Sequence, residues 1–287
     1  MTTAPVGFVG LGNMGGALAA NLVASGHDVV AHDAAGPARP APQEATVFPD
    51  VAAVARRAEV VVLSLPDGSA SEQVAHAIAA TGDRRTTHVV DTSTVGLAAA
   101  RRVAALLAGS GIAYVDAPVS GGVAGARART LVVMYAGSDD ACARVHPVLA
   151  GLSDHLHRVG DEPGLGQVLK LANNFLSATA LVATSEAVAF GVSAGLDPAT
   201  MLDVLNQSSG RSAASSDKFP DEVLTERYAA GFSNSLMHKD VRLYLQAVEE
   251  LGGPHSLGAV TASVWEAFAR AEPGVDFTRI YPYVAAS

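Results

Sequence analysis

The chain has 287 residues, long enough for two domains at the usual size of about 100–200 residues each. Its formal charge of −9 argues against nucleic acid as a partner, because a DNA or RNA reader presents a basic field. A single cysteine, Cys142, excludes an internal disulfide and an all-cysteine metal cluster; the 9 histidines are scattered, and His155 and His157 beside Asp154 read as surface residues rather than a zinc site.

In chain order, residues 6–10 predict a short apolar strand, and residues 17–25 a helix ended by Gly26. A second strand follows at 28–32. Residues 34–46, rich in Ala, Gly and Pro, read as a mobile, low-complexity loop without chemistry. Further strands are expected at 59–65, 88–91, 114–116 and 130–135, separated by alanine-rich helices at 51–58, 72–80 and 97–108. Short apolar strands alternating with helices predict a parallel, doubly wound sheet. Beyond about residue 160 the pattern is helical only: 165–194, 198–207, 214–226, 235–251 and 256–271, with Asp197 capping and Pro198 in the first turn of its helix.

The expected fold class is therefore α/β. A Rossmann-type domain over residues 1–162 is followed by an all-α domain over 163–287, which opens with a long interdomain helix and serves substrate binding and oligomerisation. No signal peptide is apparent: the N-terminus lacks a basic region and its first apolar run is broken by glycine. The run 175–196 approaches the length of a membrane span, but Glu186 and several Ser and Thr favour a buried or subunit-interface helix. The reading is a cytoplasmic chain with no membrane partner, assembling as a homodimer or homotetramer to cover its apolar helix.

Gly10-Leu11-Gly12-Asn13-Met14-Gly15 matches G-x-G-x-x-G between a predicted strand and a predicted helix, the setting in which that motif binds a dinucleotide. Gly10 permits the turn, Gly12 lets backbone approach a pyrophosphate, Gly15 allows close helix–strand packing, and the helix N-terminus offers amides to phosphate. Asp33, about twenty residues on, suits the ribose hydroxyls and repels a 2′-phosphate, which favours NAD over NADP. Leu65 and Pro66 follow the next strand and could flank the nucleotide; Thr92, Ser93 and Thr94 end another at the same edge, within reach of the nicotinamide ribose. Ser120, Gly121 and Gly122 offer a hydroxyl and amides suited to a carboxylate, although a plain β-turn explains the glycines equally well. Lys170 and Asn174 lie four apart on one face of a long apolar helix. A buried lysine has its pKa pushed down toward neutrality; the alternative is a cation near a helix start that snorkels to solvent.

Together these segments resemble the β-hydroxyacid dehydrogenases, in particular 3-hydroxyisobutyrate dehydrogenase and its tartronate semialdehyde reductase relatives. The resemblance rests on residues 7–15 with Asn21-Leu22, on 116–122 with Gly125-Ala126, on 164–174, and on Gly231-Phe232 with Leu236-Met237-His238-Lys239-Asp240. It implies an oxidoreductase that converts a small carboxylate-bearing 3-hydroxy acid reversibly to its semialdehyde. Lys170 would be the catalytic proton-transfer residue, Ser120, Gly121 and Gly122 the carboxylate site, Asn173 and Asn174 the orienting amides, and Thr94 and Lys239 cofactor contacts. No metal is implied. The chain departs from the family pattern at Arg129, where glycine is usual, and at Tyr135-Ala136, which replaces a glycine-rich pair; both bear on substrate identity. An imine reductase shares the overall plan but usually carries Asp or Tyr at the position of Lys170, and a non-catalytic cofactor-binding module would have no use for the carboxylate and lysine segments. A 6-phosphogluconate dehydrogenase would need a longer helical tail.

Overall fold

The structure, a computed structural model, describes residues 4–286 and divides into two compact units, Met1–Lys170 and Leu171–Ser287. The first unit runs β1 (Val6–Val9), α1 (Asn13–Ala24), β2 (Val29–His32), β3 (Thr46–Val47), α2 (Val51–Ala55), β4 (Val60–Leu63), α3 (Gly68–Ala80), β5 (His88–Asp91) and α4 (Leu97–Ala108). It continues through β6 (Ala113–Asp116), β7 (Val119–Ser120), α5 (Gly122–Arg127), β8 (Val132–Ala136), α6 (Asp139–Leu152) and β9 (His155–Gly160) into α7 (Leu165–Ser193).

The strands form one sheet in the order β3-β2-β1-β4-β5-β6-β8-β7, with β9 paired to β8. Its inner pairs are parallel: β1 to β2 and β4, β4 to β5, and β5 to β6. Alternation along each strand divides the core. Phe8, Val62, Val90 and Val115 face one layer of helices, whereas Val9, Val61, Val89 and Tyr114 face the other. A sheet buried on both faces reads in sequence as near-continuous apolar runs, which is why β1, β4 and β5 were legible.

The sheet is not parallel throughout. β8 runs antiparallel to β6 and β7, because β7 and the short α5 turn the chain back at the sheet edge instead of carrying it across a face. The expected loop at 34–46 contains a 3₁₀ turn (Gly36–Ala38), and β3, which begins at Thr46, pairs with β2. His155 and His157 lie on β9, an edge strand that the sequence reading left out.

The second unit adds α8 (Pro198–Asn206), a π-helix (Ala214–Val223), α9 (Asn234–Glu250), α10 (Ser256–Ala271), a 3₁₀ turn (Phe277–Arg279) and α11 (Ile280–Ala285) around a core of Trp265, Phe268, Phe219, Phe277 and Ile280. Asp197 caps α8, its carboxylate accepting from the Thr200 amide at 2.8 Å, with Pro198 at the first helical position. The segment expected as an α-helix over 214–226 is π-helical over most of its length, and Pro220 within it has no amide to give an α-helical ladder. α7 is long and apolar enough to cross a membrane by length and composition alone; 33% of its most apolar 18-residue window is buried within the chain.

Candidate functional site

The predicted nucleotide residues of the first unit lie at the C-terminal ends of its parallel strands, where ligands of doubly wound sheets bind. Between β1 and α1 the glycines divide by role. A Cβ at Gly10 would meet the Ser64 carbonyl oxygen at 2.2 Å, and one at Gly15 would meet the Gly10 carbonyl oxygen at 2.0 Å. A Cβ at Gly12 would meet no protein atom within 4 Å, and no side chain caps the α1 N-terminus there, so the space in front of these amides is open to a phosphate group. Asn13 and Met14 form the first turn of α1. Asp33, one residue past β2, accepts from the Leu11 amide at 2.5 Å and from the Ala35 amide at 2.8 Å, and so braces the glycine turn from the next strand.

Leu65 and Pro66 follow β4, and the Leu65 amide donates to the Ser93 hydroxyl at 2.7 Å. That bond joins two predicted nucleotide segments, since Thr94 is the next residue. Behind them Asp91 is fully buried and accepts from the Ser93 amide at 3.0 Å; burial pushes its carboxyl up despite its hydrogen bonds, and burial also pushes the Tyr114 hydroxyl beside it well up. Ser120 ends β7. Gly121 and Gly122 follow at φ of +130° and +68°, backbone conformations that glycine adopts without strain.

Lys170 lies in the second turn of α7 and is only 8% exposed. Two residues to which the sequence reading gave no role anchor that helix. Asp116, at the end of β6, accepts from the Gly164 amide at 2.7 Å and the Gln167 amide at 2.8 Å, and burial raises its carboxyl to about 6. Gln167 is fully buried, with its side-chain oxygen 2.9 Å from the Val95 amide and 3.1 Å from the Gly96 amide and its nitrogen 2.9 Å from the Ser93 carbonyl. Asp116 could have been suspected from its place at a strand end. Gln167 carries no such signal, because a glutamine in a helix reads as an ordinary helix former.

In the helical unit the predicted residues Asn173, Asn174 and Lys239 come together through Asp240, which is 2% exposed and was also missed. Asn174 donates to one Asp240 oxygen at 2.6 Å, Lys239 Nζ lies 3.2 Å from the other, and Asn173 donates to Asn174 at 3.1 Å. Asn173 also lines a cavity of about 270 Å³ with Ser177, Leu181, Ser212, Lys218 and Phe277. Arg129 braces the main chain. Its guanidinium bonds the Gly151 carbonyl at 2.8 Å, the Ala150 carbonyl at 3.0 Å and the Ser25 hydroxyl at 2.8 Å, and its backbone takes a left-handed φ of +60°, the conformation glycine adopts without strain. Asn21 is likewise structural, donating to the Ala126 and Leu152 carbonyls. Among the described residues no group of three or more His, Cys, Asp or Glu is placed to hold a metal.

Residues 5–160 match the family model described as the NAD-binding domain of 6-phosphogluconate dehydrogenase, and residues 164–284 that described as the NAD-binding part of NADP-dependent 3-hydroxyisobutyrate dehydrogenase. The chain is 36% identical to a 3-hydroxyisobutyrate dehydrogenase of Pseudomonas aeruginosa over 96% of each chain, and 35% identical to a 2-(hydroxymethyl)glutarate dehydrogenase of Eubacterium barkeri over 91% of this chain and 88% of that one. Its fold superposes on a Mycobacterium tuberculosis 3-hydroxyisobutyrate dehydrogenase solved with L-serine at a TM-score of 0.91, with 32% identity, covering 98% of this chain and 99% of that one. An NAD(P)-binding sheet domain followed by a helical domain, matched along nearly its whole length, makes this chain a member of the 3-hydroxyisobutyrate dehydrogenase family of oxidoreductases.

Proposed function

We propose that the chain is an NAD-dependent oxidoreductase that reversibly oxidises a small 3-hydroxy acid, 3-hydroxyisobutyrate or a close analogue, to its semialdehyde, with Lys170 as the proton-transfer residue. The observation that carries this reading is a lysine 8% exposed in the second turn of a helix whose start is pinned to the nucleotide edge of the sheet. The Ser120 hydroxyl and the amides of Gly121 and Gly122 receive the substrate carboxylate. Lys170 takes the proton from the substrate hydroxyl during oxidation and returns it during reduction. Asn174, with its amide held by Asp240, orients that hydroxyl, and Asn173 contacts the substrate from the neighbouring position.

The open space before Gly12 and the uncapped α1 N-terminus fit the pyrophosphate of a nicotinamide dinucleotide, which when bound takes up or gives back the hydride. Leu11, Asn13, Leu65, Pro66, Thr94 and Lys239 flank the nucleotide, and Asp33 accepts its ribose hydroxyls, which disfavours a 2′-phosphate and selects NAD over NADP. Residues 1–162 thus serve the nucleotide and 163–287 the substrate and the oligomer. The exposed Leu176 and Phe190 of α7 are covered in a homodimer or homotetramer, and the protein acts in the cytoplasm.

The test is the initial rate with 3-hydroxyisobutyrate, 3-hydroxypropionate, glycerate, serine and tartronate semialdehyde, each with the NAD and the NADP couple. Turnover of at least one 3-hydroxy acid, faster with NAD, is expected. Lys170→Ala should abolish that turnover and leave NADH affinity nearly intact; an unchanged kcat in this variant would remove the lysine from the mechanism.

A further inference from the structure

The side chain of Gln167 is joined to the residues on either side of Thr94. Its nitrogen donates to the Ser93 carbonyl, and its oxygen accepts from the Val95 and Gly96 amides. The orientation of the amide is determined, because a flipped group would set its NH₂ against two main-chain N–H donors. Gly96 is the N-cap of α4 and makes no side-chain cap of its own, so the Gln167 oxygen serves as a cap delivered from another helix. The main-chain amide of Gln167 is itself held by Asp116, which also holds Gly164. Gly166, between them, packs so closely that a Cβ would lie 2.5 Å from the Met134 carbonyl oxygen and 2.7 Å from an Asp116 carboxylate oxygen. The first turn of α7 therefore has little freedom to slide or rotate, and Lys170 stands one turn further on, on the same side of the helix as Gln167.

We propose that Gln167 is a positioning residue that sets Thr94 and Lys170 in one fixed geometry, with Asp116 as the anchor of the same helix turn. The amide is a crosspiece: one end holds the loop expected to touch the nicotinamide ribose, the other is the helix that carries the proton-transfer lysine. The link continues outward, since the Ser93 hydroxyl accepts from the Leu65 amide. The part of this inference that concerns Lys170 rests on the proposed reaction; the part that concerns Thr94 needs only nucleotide binding. An error of about 1 Å in the placement of a reacting group can cost on the order of 100-fold in rate, so a residue that touches neither substrate nor cofactor can still govern turnover.

The experiment uses the full-length protein and Gln167→Met, which keeps the length of the side chain and removes all of its hydrogen bonds. NADH affinity is measured by fluorescence titration in the parent, Q167M, T94A and the double variant. The expected result is a three- to tenfold weaker Kd in Q167M and a double variant weaker than the parent by clearly less than the product of the two single effects. With a turned-over hydroxy acid, kcat of Q167M should fall ten- to a hundredfold while its KM moves less than threefold. A purely structural glutamine would lower Tm and leave the double-variant cycle multiplicative, and that outcome overturns the proposal, as does a folded Q167M with Kd and kcat within twofold of the parent. Should Q167M not fold, Gln167→Glu keeps the acceptor toward Val95 and Gly96 and replaces the donor to Ser93 with a carboxylate oxygen that repels the Ser93 carbonyl; the same cycle against T94A then decides. If the parent turns over no 3-hydroxy acid, the proposed reaction fails while the NADH cycle still tests the crosspiece.

Discussion

The candidate-site polar groups of the two units are held by different means. At the edge of the sheet, Asp33, Asp91, Asp116 and Gln167 accept hydrogen bonds from main-chain amides. In the helical unit Asn173, Asn174, Asp240 and Lys239 hold one another, side chain to side chain. A main-chain donor stays in place when a neighbouring side chain changes, whereas a side-chain partner disappears with its own substitution. The sheet edge is thus sensitive chiefly where the backbone itself would have to move, and the Asn174–Asp240–Lys239 cluster chiefly where a pair would be broken.

The largest expected effect breaks the backbone side of this contrast. Gly15→Ala places a methyl group against the Gly10 carbonyl, which cannot yield without displacing α1, and should cost about 3 kcal/mol in urea unfolding. Gly12→Ala meets nothing in the protein and has an ordinary φ of −60°; it should stay within about 0.5 kcal/mol of the parent while NADH binding falls sharply. Equal destabilisation of the two would erase the distinction. Next, Asp240→Ala leaves Asn174 and Lys239 without their shared carboxylate and should cost about 3 kcal/mol, whereas Asp240→Asn should cost less because it retains an acceptor.

The third effect sharpens the comparison through pH. Burial raises the Asp116 carboxyl to about 6 from an ordinary 3.8, so the folded chain binds its proton more tightly than the unfolded chain does. The resulting stabilisation is present in full below about pH 4 and is lost as pH rises through 6, on the order of 2–3 kcal/mol. Urea unfolding of the parent between pH 4 and 7.5 should show this slope, and Asp116→Asn should flatten it; an unchanged slope would mean that another group carries it. The smallest effect concerns position 129. Arg129→Ala and Arg129→Gly lose the same guanidinium bonds, but glycine accepts φ +60° without strain, so R129G should be the more stable by about 1 kcal/mol.

What could be read from the sequence follows the same division. The glycine turn with Asp33, the apolar strands β1, β4 and β5, and the helices α7 to α10 announce themselves locally, through periodicity, caps and glycine spacing. Gln167 and Asp240 do not, because each is explained by partners about 70 residues away: Ser93, Val95 and Gly96 for the one, Asn174 for the other. β9 was missed because its residues are largely exposed and polar, so the apolar signal of a strand is weak. The π-helix was read as α because the two differ by one hydrogen-bond step and share their residue preferences. Arg129 stands in a left-handed backbone position, which suits the glycine that the family pattern carries there.

The carboxylate of Asp33 has a consequence for how such a protein can diverge. One of its oxygens is already committed to the Leu11 amide and the other to the Ala35 amide. A change at position 33 therefore loosens the glycine turn, whichever coenzyme the protein takes. A substitution there that keeps the turn braced must still accept a hydrogen from Leu11, as Asn, Ser or Thr can, or be accompanied by another brace for that turn. The choice of residue at this position is narrowed by a bond that lies wholly within the protein.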